Sequence, residues 1–121
     1  DVNNGVYKCG FSTTQLAYDK ASQGVSRGMD RLESILANNR FLLGDKLTEA
    51  DLRLFPTILR FDSVYHNLFK CSGRRVADMP NLSAWLRDVY QVPGVAETCD
   101  MEAIHTSYYS QLFPLNPSGI V

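Results

Sequence analysis

The stretch from Gly44 to Phe55 carries the signals of a helix start and limits the folds open to this chain. Thr48 and Asp51 have the spacing of a capping box, in which the Thr48 side chain accepts the Asp51 backbone N–H and the Asp51 carboxylate accepts the Thr48 N–H. Leu47 and Leu52 stand at the two positions of a hydrophobic staple. We therefore predict that a helix begins at Thr48 and that the rest of the chain packs around it.

The segment after the capping box is apolar on most sides of a helix, which is typical of a buried helix. One predicted face consists of Ala50, Leu54, Ile58, Phe61 and Tyr65, and another of Leu52, Phe55 and Leu59. Pro56 removes a backbone donor, so we expect a kink near Leu52. The helix is predicted to end near His66 or Asn67.

Other segments also have helical spacing. Residues 12–14 offer N-caps for a long helix ending at 37–39, with an apolar seam at Tyr18, Ala21, Val25, Gly28 or Met29, Leu32, and Ile35 or Leu36. Pro80 suits the first turn of a further helix, and shorter helices are predicted over 95–98 and from 100 or 101 to about 110. Residues 1–12 and 70–79 are predicted as irregular and the tail after 113 as extended. No segment alternates with period two, so the predicted fold class is all-α.

Small residues on the long helix, namely Ala17, Ala21, Gly24 and Gly28, form a patch with few side-chain atoms. Such a patch lets another helix approach closely. The approaching helix could belong to the same chain or to a second subunit.

Composition narrows the classes of function. The 121 residues suffice for one domain, and a formal net charge of −1 argues against nucleic acid or an anionic membrane as a partner. No apolar run approaches the roughly 20 residues of a transmembrane span. Cys9, Cys71 and Cys99 are widely spaced and suit reduced thiols in a reducing compartment, here the cytoplasm. Because the chain begins at Asp1 and not at a methionine, we interpret it as part of a longer protein.

Tyrosines are the side chains with the clearest chemical use. The two histidines, His66 and His105, are isolated in the sequence and no metal-ligand spacing occurs, so no metal is predicted. A neutral phenol carries an O–H donor that can stabilise charge developing on oxygen or sulfur. Tyr65, like other helix tyrosines, fits core packing, whereas Tyr7 lies among glycines in the predicted lead-in, where sites are common. By themselves the residues indicate a soluble all-α domain.

Several motifs resemble the helical C-terminal domain of glutathione transferases. They are the capping-box stretch after Gly44 and the Pro80-Asn81-Leu82 segment followed by Trp85. The opening Asn3-Asn4-Gly5-Val6-Tyr7-Lys8-Cys9-Gly10-Phe11 is more specific and resembles the glutathionyl-hydroquinone reductases, the omega-like Xi class. Segments around Arg53, Arg60, Tyr65, Cys71, Pro93, Tyr108 and Asn116 resemble that class too.

The resemblance implies a two-domain enzyme that removes glutathione from glutathionyl-hydroquinones. A thioredoxin-like domain outside this chain would carry the cysteine nucleophile and most of the glutathione site, so this chain alone should be inactive. Residues 1–121 would form the helical domain and the hydrophobic wall of the quinol site. In that wall Tyr7 and Tyr108 would be catalytic, and Tyr65 and Tyr109 would bind substrate. The resemblance also implies a homodimer held by helical domains.

The chain departs from the family pattern next to Tyr108. His105-Thr106-Ser107 replaces basic residues and a histidine, and Gln111-Leu112 stands where the family has Ser-His. The residues next to Tyr108 and Tyr109 therefore make the expected substrate pocket less polar than the family pattern predicts. A non-catalytic docking module and an inactive ligand-binding paralogue are the alternatives. A docking module needs no tyrosine in its lead-in, so the Asn3–Phe11 motif favours the enzyme. Cys9 and Cys71 match family positions and are interpreted as structural thiols.

Overall fold

The computed structural model describes residues 2–111 and 115–121. These residues form five α-helices, one π-helix and two short 3₁₀ helices, with no strand in the described ranges. The α-helices are α1 Val2–Gly10, α2 Gln15–Leu36, α3 Glu49–Arg60, α4 Pro80–Tyr90 and α5 Met101–Gln111; the π-helix is Phe61–Tyr65, and the 3₁₀ helices are Val76–Asp78 and Ala96–Thr98. The predicted all-α fold is confirmed. Over these residues, no helix combines the length and apolar character needed to cross a bilayer.

Helix α1 occupies the segment that the sequence predicted as irregular, and that prediction was wrong. Val6 and Cys9 lie on one side of α1 and are buried in the core, so packing outweighs the helix-breaking tendency of Gly5. A Cβ on Gly5 would stand 3.0 Å from Cγ2 of Val25 on α2. The missing side chain therefore lets the two helices approach closely.

Helix α2 has the bounds and the seam that the sequence predicted. The Thr14 hydroxyl caps it by accepting the Ala17 N–H at 3.2 Å. Val25, Met29 and Leu36 from the seam are buried. Since these residues recur every three or four positions, α2 presents one continuous apolar face to the core.

The small-residue patch on α2 has two environments. A Cβ on Gly28 would lie 2.7 Å from Cγ2 of Val2, so this end of the patch packs within the chain. A Cβ on Gly24 would meet nothing within 4 Å. With Ala17 and Ala21, Gly24 lines an open groove of about 600 Å³ between α1 and α2.

The predicted capping box is present at the start of α3, and its carboxylate also reaches other elements. One Asp51 oxygen accepts the Thr48 N–H at 2.9 Å and the Thr48 hydroxyl at 3.3 Å, and the Asp51 N–H donates to the Thr48 carbonyl at 3.1 Å. The other carboxylate oxygen accepts the Leu42 N–H and the Trp85 indole N–H, both at 2.9 Å. Asp51 is fully buried, and it thereby joins α3, the preceding loop and α4.

Helix α3 is buried on one face and not on most sides as predicted. Leu54, Phe55 and Ile58 are buried, whereas Leu52 is 48% exposed. The neighbours of α3 are α1 and α4, together with the π-helix that continues it, and these elements cover one side. Leu47 packs against the core, so the predicted staple leaves its second member, Leu52, half in solvent.

The chain after α3 widens into a π-helix, whereas the prediction extended an α-helix to His66 or Asn67. Phe61–Tyr65 is a π-helix, in which the His66 N–H donates to the Phe61 carbonyl at 2.8 Å. The wider turn buries the neighbouring residues Val64 and Tyr65 together with Phe61. Single π-turns of this kind are frequent at functional sites.

The later helices follow the sequence predictions. Pro80 occupies the first turn of α4, and the Glu33 carboxylate accepts the Asn81 and Leu82 N–H groups at 2.9 and 2.7 Å. The second 3₁₀ helix and α5 lie where short helices were predicted.

The tail differs from the predicted extended conformation. The Gly119 N–H donates to the Asn116 carbonyl at 3.1 Å, which closes a turn. The Asn116 side chain donates to the carbonyls of Tyr109 and Ile120 at 2.7 and 2.8 Å, and this attaches the turn to α5. Leu112, part of the predicted departure from the family pattern, lies outside the described residues.

Candidate functional site

Three tyrosine hydroxyl groups meet at one point of the structure. The Tyr108 oxygen lies 2.8 Å from the Tyr7 oxygen and 3.0 Å from the Tyr65 oxygen, and the Tyr7 and Tyr65 oxygens are 3.4 Å apart. Tyr7 comes from α1, Tyr65 ends the π-helix and Tyr108 lies on α5. The structure thus brings together three of the four tyrosines that the resemblance singled out, and we call these three residues the tyrosine cluster.

Phe69 packs against every ring of the tyrosine cluster. Its ring centroid lies 5.2 Å from that of Tyr7, 5.0 Å from that of Tyr65 and 6.1 Å from that of Tyr108. Tilted and edge-to-face contacts of this kind are the arrangements that aromatic rings prefer. Gly10 makes room for Phe69, because a Cβ there would stand 2.6 Å from the Phe69 Cγ. The three phenol rings are therefore held by packing as well as by their hydroxyls.

The tyrosine cluster forms part of the wall of an open cleft of about 390 Å³. The other lining residues are Asn3, Asn4, Pro56, Thr57 and Arg60. Tyr7 is 42% exposed and Tyr65 is 3% exposed. Small-molecule sites have volumes of about 300–1,000 Å³, so the cleft is large enough for a small molecule.

The phenols of Tyr7 and Tyr65 keep their protons at neutral pH. Burial, followed by the hydrogen bond to Tyr108, raises the pKa of Tyr7. Burial also raises the pKa of Tyr65, with further increases from its hydrogen bonds to Tyr108 and Tyr7. An ordinary tyrosine has a pKa of about 10, so both side chains are neutral O–H donors at pH 7.

A count of protons shows what the cluster can offer to a ligand. Three hydroxyls carry three protons, but only two pairs of oxygens are at short hydrogen-bond distance. The third separation of 3.4 Å exceeds the usual O–H···O range of about 2.5–3.0 Å. One O–H therefore has no short acceptor inside the cluster. Because all three tyrosines line the cleft, that donor is available to an oxygen atom in the cleft whichever hydroxyl carries it.

Tyr109 lies apart from the tyrosine cluster. It is buried, its hydroxyl donates to the Ser63 carbonyl at 3.0 Å and accepts the Asn67 side chain at 3.1 Å, and the His105 ring stacks on it at 4.3 Å. Successive residues of an α-helix point about 100° apart, so Tyr108 and Tyr109 face different surroundings. The substrate-binding role of Tyr109 stays a prediction, and these contacts indicate packing.

Arg60 is a cleft residue to which the sequence analysis gave no role. Its guanidinium donates to the Pro56 carbonyl at 3.0 Å, and its positive charge opposes, more weakly, the effect of burial on the pKa of Tyr7. Arg60 and Tyr65 are five residues apart, a spacing that puts them on different faces of an α-helix. The intervening π-helix brings both residues to one cleft. The spacing of apolar residues in the sequence did not indicate this π-helix.

The remaining predicted site residues, Thr48 and Asp51, serve the fold through the capping box and do not line the cleft. Within the described residues, no group of three or more His, Cys, Asp or Glu side chains is arranged to hold a metal ion. The chemistry that this site offers is hydrogen-bond donation beside a cation.

Comparison with known proteins gives one family. Residues 15–88 match the family model described as glutathione S-transferase, C-terminal domain. The chain is 50% identical to the glutathionyl-hydroquinone reductase YqjG of Escherichia coli and 47% identical to the glutathionyl-hydroquinone reductase PcpF of Sphingobium chlorophenolicum, over 120 residues in each case. Both alignments cover 99% of this chain but only 37% and 38% of the relative. The chain therefore spans less than two-fifths of the length of these relatives.

Solved structures agree with the sequence relatives. The glutathione-bound structure of Escherichia coli YqjG superposes with a TM-score of 0.97 at 50% identity, covering 99% of this chain and 39% of the other. The Xi glutathione transferase of Phanerochaete chrysosporium superposes with a TM-score of 0.96 at 48% identity, covering 99% and 41%. With most of its length matched by the family model, this chain belongs to the glutathione S-transferase C-terminal domain family.

Proposed function

We propose that this chain is the helical, substrate-side domain of a glutathione-dependent reductase that removes glutathione from glutathionyl-hydroquinones. The tyrosine cluster carries the proposal, because it offers a neutral O–H donor to an aromatic ligand in the cleft. The likeness to two reductases of that name supports it. A thioredoxin-like domain outside this chain supplies the cysteine nucleophile and most of the site for glutathione, the co-substrate.

In the proposed reaction, the cysteine thiolate attacks the sulfur of the substrate's carbon–sulfur bond. The substrate reacts as its keto tautomer, in which the carbon bonded to sulfur has gained a proton and a quinol oxygen is a carbonyl. A disulfide forms between the enzyme and the glutathione moiety, the carbon–sulfur bond breaks, and its electron pair restores the aromatic ring and places a negative charge on the former carbonyl oxygen. This phenolate then takes up a proton to give the hydroquinone. A second glutathione thiolate then attacks the mixed disulfide, restores the enzyme thiolate and leaves as glutathione disulfide.

The tyrosine cluster acts on the oxygen that gains charge. Tyr7 donates to it from the cleft wall. Either hydroxyl of the Tyr7–Tyr108 and Tyr65–Tyr108 pairs can be the donor in the structure, and with substrate bound the hydroxyls turn so that Tyr108 donates to Tyr7 and the buried Tyr65 donates to Tyr108. In that state the cluster is a chain of donors leading outward. Such a donor binds the transition state more tightly than the neutral substrate, since its acceptor becomes more negative as the bond breaks. Arg60 adds a positive charge to the same wall.

The test uses the intact protein that contains this chain, with glutathione and a glutathionyl-hydroquinone, and measures release of hydroquinone. Loss of one donor of this kind typically lowers turnover about 10²–10³-fold. We expect about 10- to 100-fold for Tyr7→Phe, because the thiolate attack itself does not require a phenol. Tyr90→Phe removes a hydroxyl from an exposed tyrosine outside the cleft and is the matched control.

Two outcomes would contradict the proposal. Absence of turnover in the wild-type intact protein favours the docking module, and unchanged turnover in a folded Tyr7→Phe variant makes the tyrosines packing residues. The isolated chain is expected to show no turnover, since the nucleophile and most of the glutathione site lie elsewhere.

The proposal includes a homodimer, held by helical-domain surfaces, in the cytoplasm. The open groove beside Gly24 and the adjoining Leu16, which is 81% exposed, support an interface on this side. A specific interface buries more than about 1,000 Å² in total. Sedimentation of the intact protein as a monomer at micromolar concentration would reject the dimer.

A further inference from the structure

Two buried cysteines, Cys9 and Cys71, each lie against the chain segment that carries the other. The Cys9 thiol on α1 points at the Lys70 carbonyl at 3.9 Å, and the Cys71 thiol, which follows Lys70, points at the Val6 carbonyl at 3.9 Å. Each residue is 2% exposed. Each thiol is also close enough to shift the pKa of the other. Residues 62 positions apart in the chain thus form one dithiol, which the sequence had indicated only as two structural thiols.

The backbone between the thiols is held in an unusual conformation. Lys70 has φ 58°, the left-handed region that a residue with a side chain seldom adopts. Its carbonyl accepts the Tyr18 hydroxyl at 2.6 Å, and the Cys71 N–H donates to the Tyr65 carbonyl at 3.0 Å. Such strain persists where surrounding contacts fix it, and it is common at functional sites. Here it keeps the Cys71 segment beside Cys9.

The surroundings make the two thiols chemically unequal. The neighbouring Cys71 thiol, together with the positive charge of Lys70, lowers the pKa of Cys9. The same pairing and burial raise the pKa of Cys71. A thiolate is the nucleophilic form of cysteine. Cys9 is also the thiol of the pair that lines a cleft, so it suits the attacking position and Cys71 the second step.

Cys9 can be reached from outside. It lines a cleft of about 360 Å³ together with Tyr18, Phe69, Lys70 and residues 12–15. This cleft shares no lining residue with the cleft of the tyrosine cluster. A small oxidant fits it, whereas a bulky reagent meets a residue that is almost fully covered.

We propose that Cys9 and Cys71 are a redox-active dithiol that a hydroperoxide converts into an intramolecular disulfide. The Cys9 thiolate attacks a peroxide oxygen, the O–O bond breaks, and Cys9 becomes a sulfenic acid while hydroxide leaves. The Cys71 sulfur then attacks the Cys9 sulfur, the S–OH bond breaks, and water leaves with the Cys71 proton. With hydrogen peroxide, two thiols lose two electrons and two protons, and the peroxide becomes two waters.

The disulfide would join α1 to the segment next to Phe69. Cys9 is two residues from Tyr7, and Cys71 is two residues from Phe69, the ring that supports all three tyrosines. The disulfide therefore constrains the segment next to Phe69, the residue against which the three tyrosine rings pack. Formation of the disulfide does not depend on the proposed reductase activity, and the test below reads the covalent bond itself.

The experiment treats the intact protein with one equivalent of hydrogen peroxide for each of its cysteines, so that the nucleophilic cysteine of the other domain does not use up the oxidant; it then alkylates the remaining thiols and maps the peptides by mass. We expect a peptide that joins Cys9 to Cys71, lighter than the two parent peptides by two hydrogen atoms. Cys99 is the internal control: it is less buried than the pair, yet its thiol points at the Val95 carbonyl at 3.4 Å and has no thiol partner there. Cys99 is expected to stay open to alkylation.

Cys71→Ser tests the order of the steps. The serine hydroxyl can still donate to Cys9 but cannot form the disulfide, so oxidation is expected to stop at a Cys9 sulfenic acid that a 1,3-dione traps. Preferential oxidation of Cys99, or peroxide-treated wild-type protein in which Cys9 and Cys71 both remain alkylatable, would overturn the proposal. The wild-type measurement decides the matter even if a variant fails to fold.

Discussion

The Tyr7 hydroxyl lies 2.8 Å from the Tyr108 hydroxyl, although 101 residues separate the two tyrosines in the chain. Tyr108 is also 3.0 Å from Tyr65, and it is the one member of the cluster with two short contacts. Helices α1 and α5 therefore meet through hydroxyl groups at the cleft. If the cluster is a chain of donors, Tyr108 connects the exposed donor to the buried one.

The central position of Tyr108 predicts that Tyr7 and Tyr108 act as a unit in turnover. Tyr108→Phe leaves the Tyr7 and Tyr65 oxygens 3.4 Å apart, and we expect a loss of turnover of about 10- to 100-fold. The double variant Tyr7→Phe/Tyr108→Phe should lose little more than either single variant, since residues of one network are strongly non-additive. Measured kcat values for the four proteins give the coupling. Losses that multiply would show that the two hydroxyls act separately.

The sequence predicted the elements that carry their own signals. Thr14, Thr48 and Pro80 stand at helix starts, and each helix begins there in the structure. Helix α1 escaped prediction because Asn3, Asn4 and Gly5 favour a turn locally, and only burial of Val6 and its neighbours against α2 makes the segment helical.

The site was predicted in part. The resemblance pointed to Tyr7, Tyr65 and Tyr108, but the contacts among them arise from three elements far apart in the chain. Arg60 and Phe69 were not identified as site residues, because their positions depend on the π-helix and on the space left by Gly10. The spacing of apolar residues along the sequence reveals neither the π-helix nor the space left by Gly10.

Asp51→Ala should destabilise the chain by about 3 kcal/mol or more, above the roughly 1–2 kcal/mol expected for loss of a cap alone. The larger effect follows because the carboxylate also accepts the Leu42 N–H and the Trp85 indole N–H, which would become unpaired in the core. Urea unfolding followed by Trp85 fluorescence measures it, since Trp85 is the sole tryptophan.

Glu49→Ala is the matched control for Asp51→Ala. Glu49 also lies in the first turn of α3, but it is exposed and pairs with Arg53 on the surface. A pair of this kind contributes about 0–1 kcal/mol. Equal destabilisation by the two variants would show that the buried contacts of Asp51 add nothing to the cap.

Alkaline pH should weaken the fold through the tyrosine cluster. The pKa values of Tyr7 and Tyr65 are raised in the folded state by burial, so the folded protein holds protons that the unfolded chain releases above about pH 10. Their contribution to stability is complete below that pH and is lost as the pH rises further. Tyr65→Phe should flatten this dependence in urea unfolding between pH 9 and 11, whereas Tyr90→Phe should keep the wild-type slope. If Tyr65→Phe keeps the wild-type dependence of stability on pH, other titrating groups cause it.

Gly10→Ala and Gly24→Ala should change stability in opposite directions. A Cβ on Gly10 would stand 2.6 Å from the Phe69 Cγ, so Phe69 must move, and we expect about 1–3 kcal/mol of destabilisation from overpacking. A Cβ on Gly24 meets nothing within 4 Å, and alanine should stabilise α2 by about 1 kcal/mol.

Because Phe69 supports every ring of the tyrosine cluster, Gly10→Ala should also lower turnover in the intact protein, while Gly24→Ala leaves it unchanged. Thermal melts and turnover of both variants check the pair, and full turnover in a destabilised Gly10→Ala protein would show that Phe69 does not position the tyrosines.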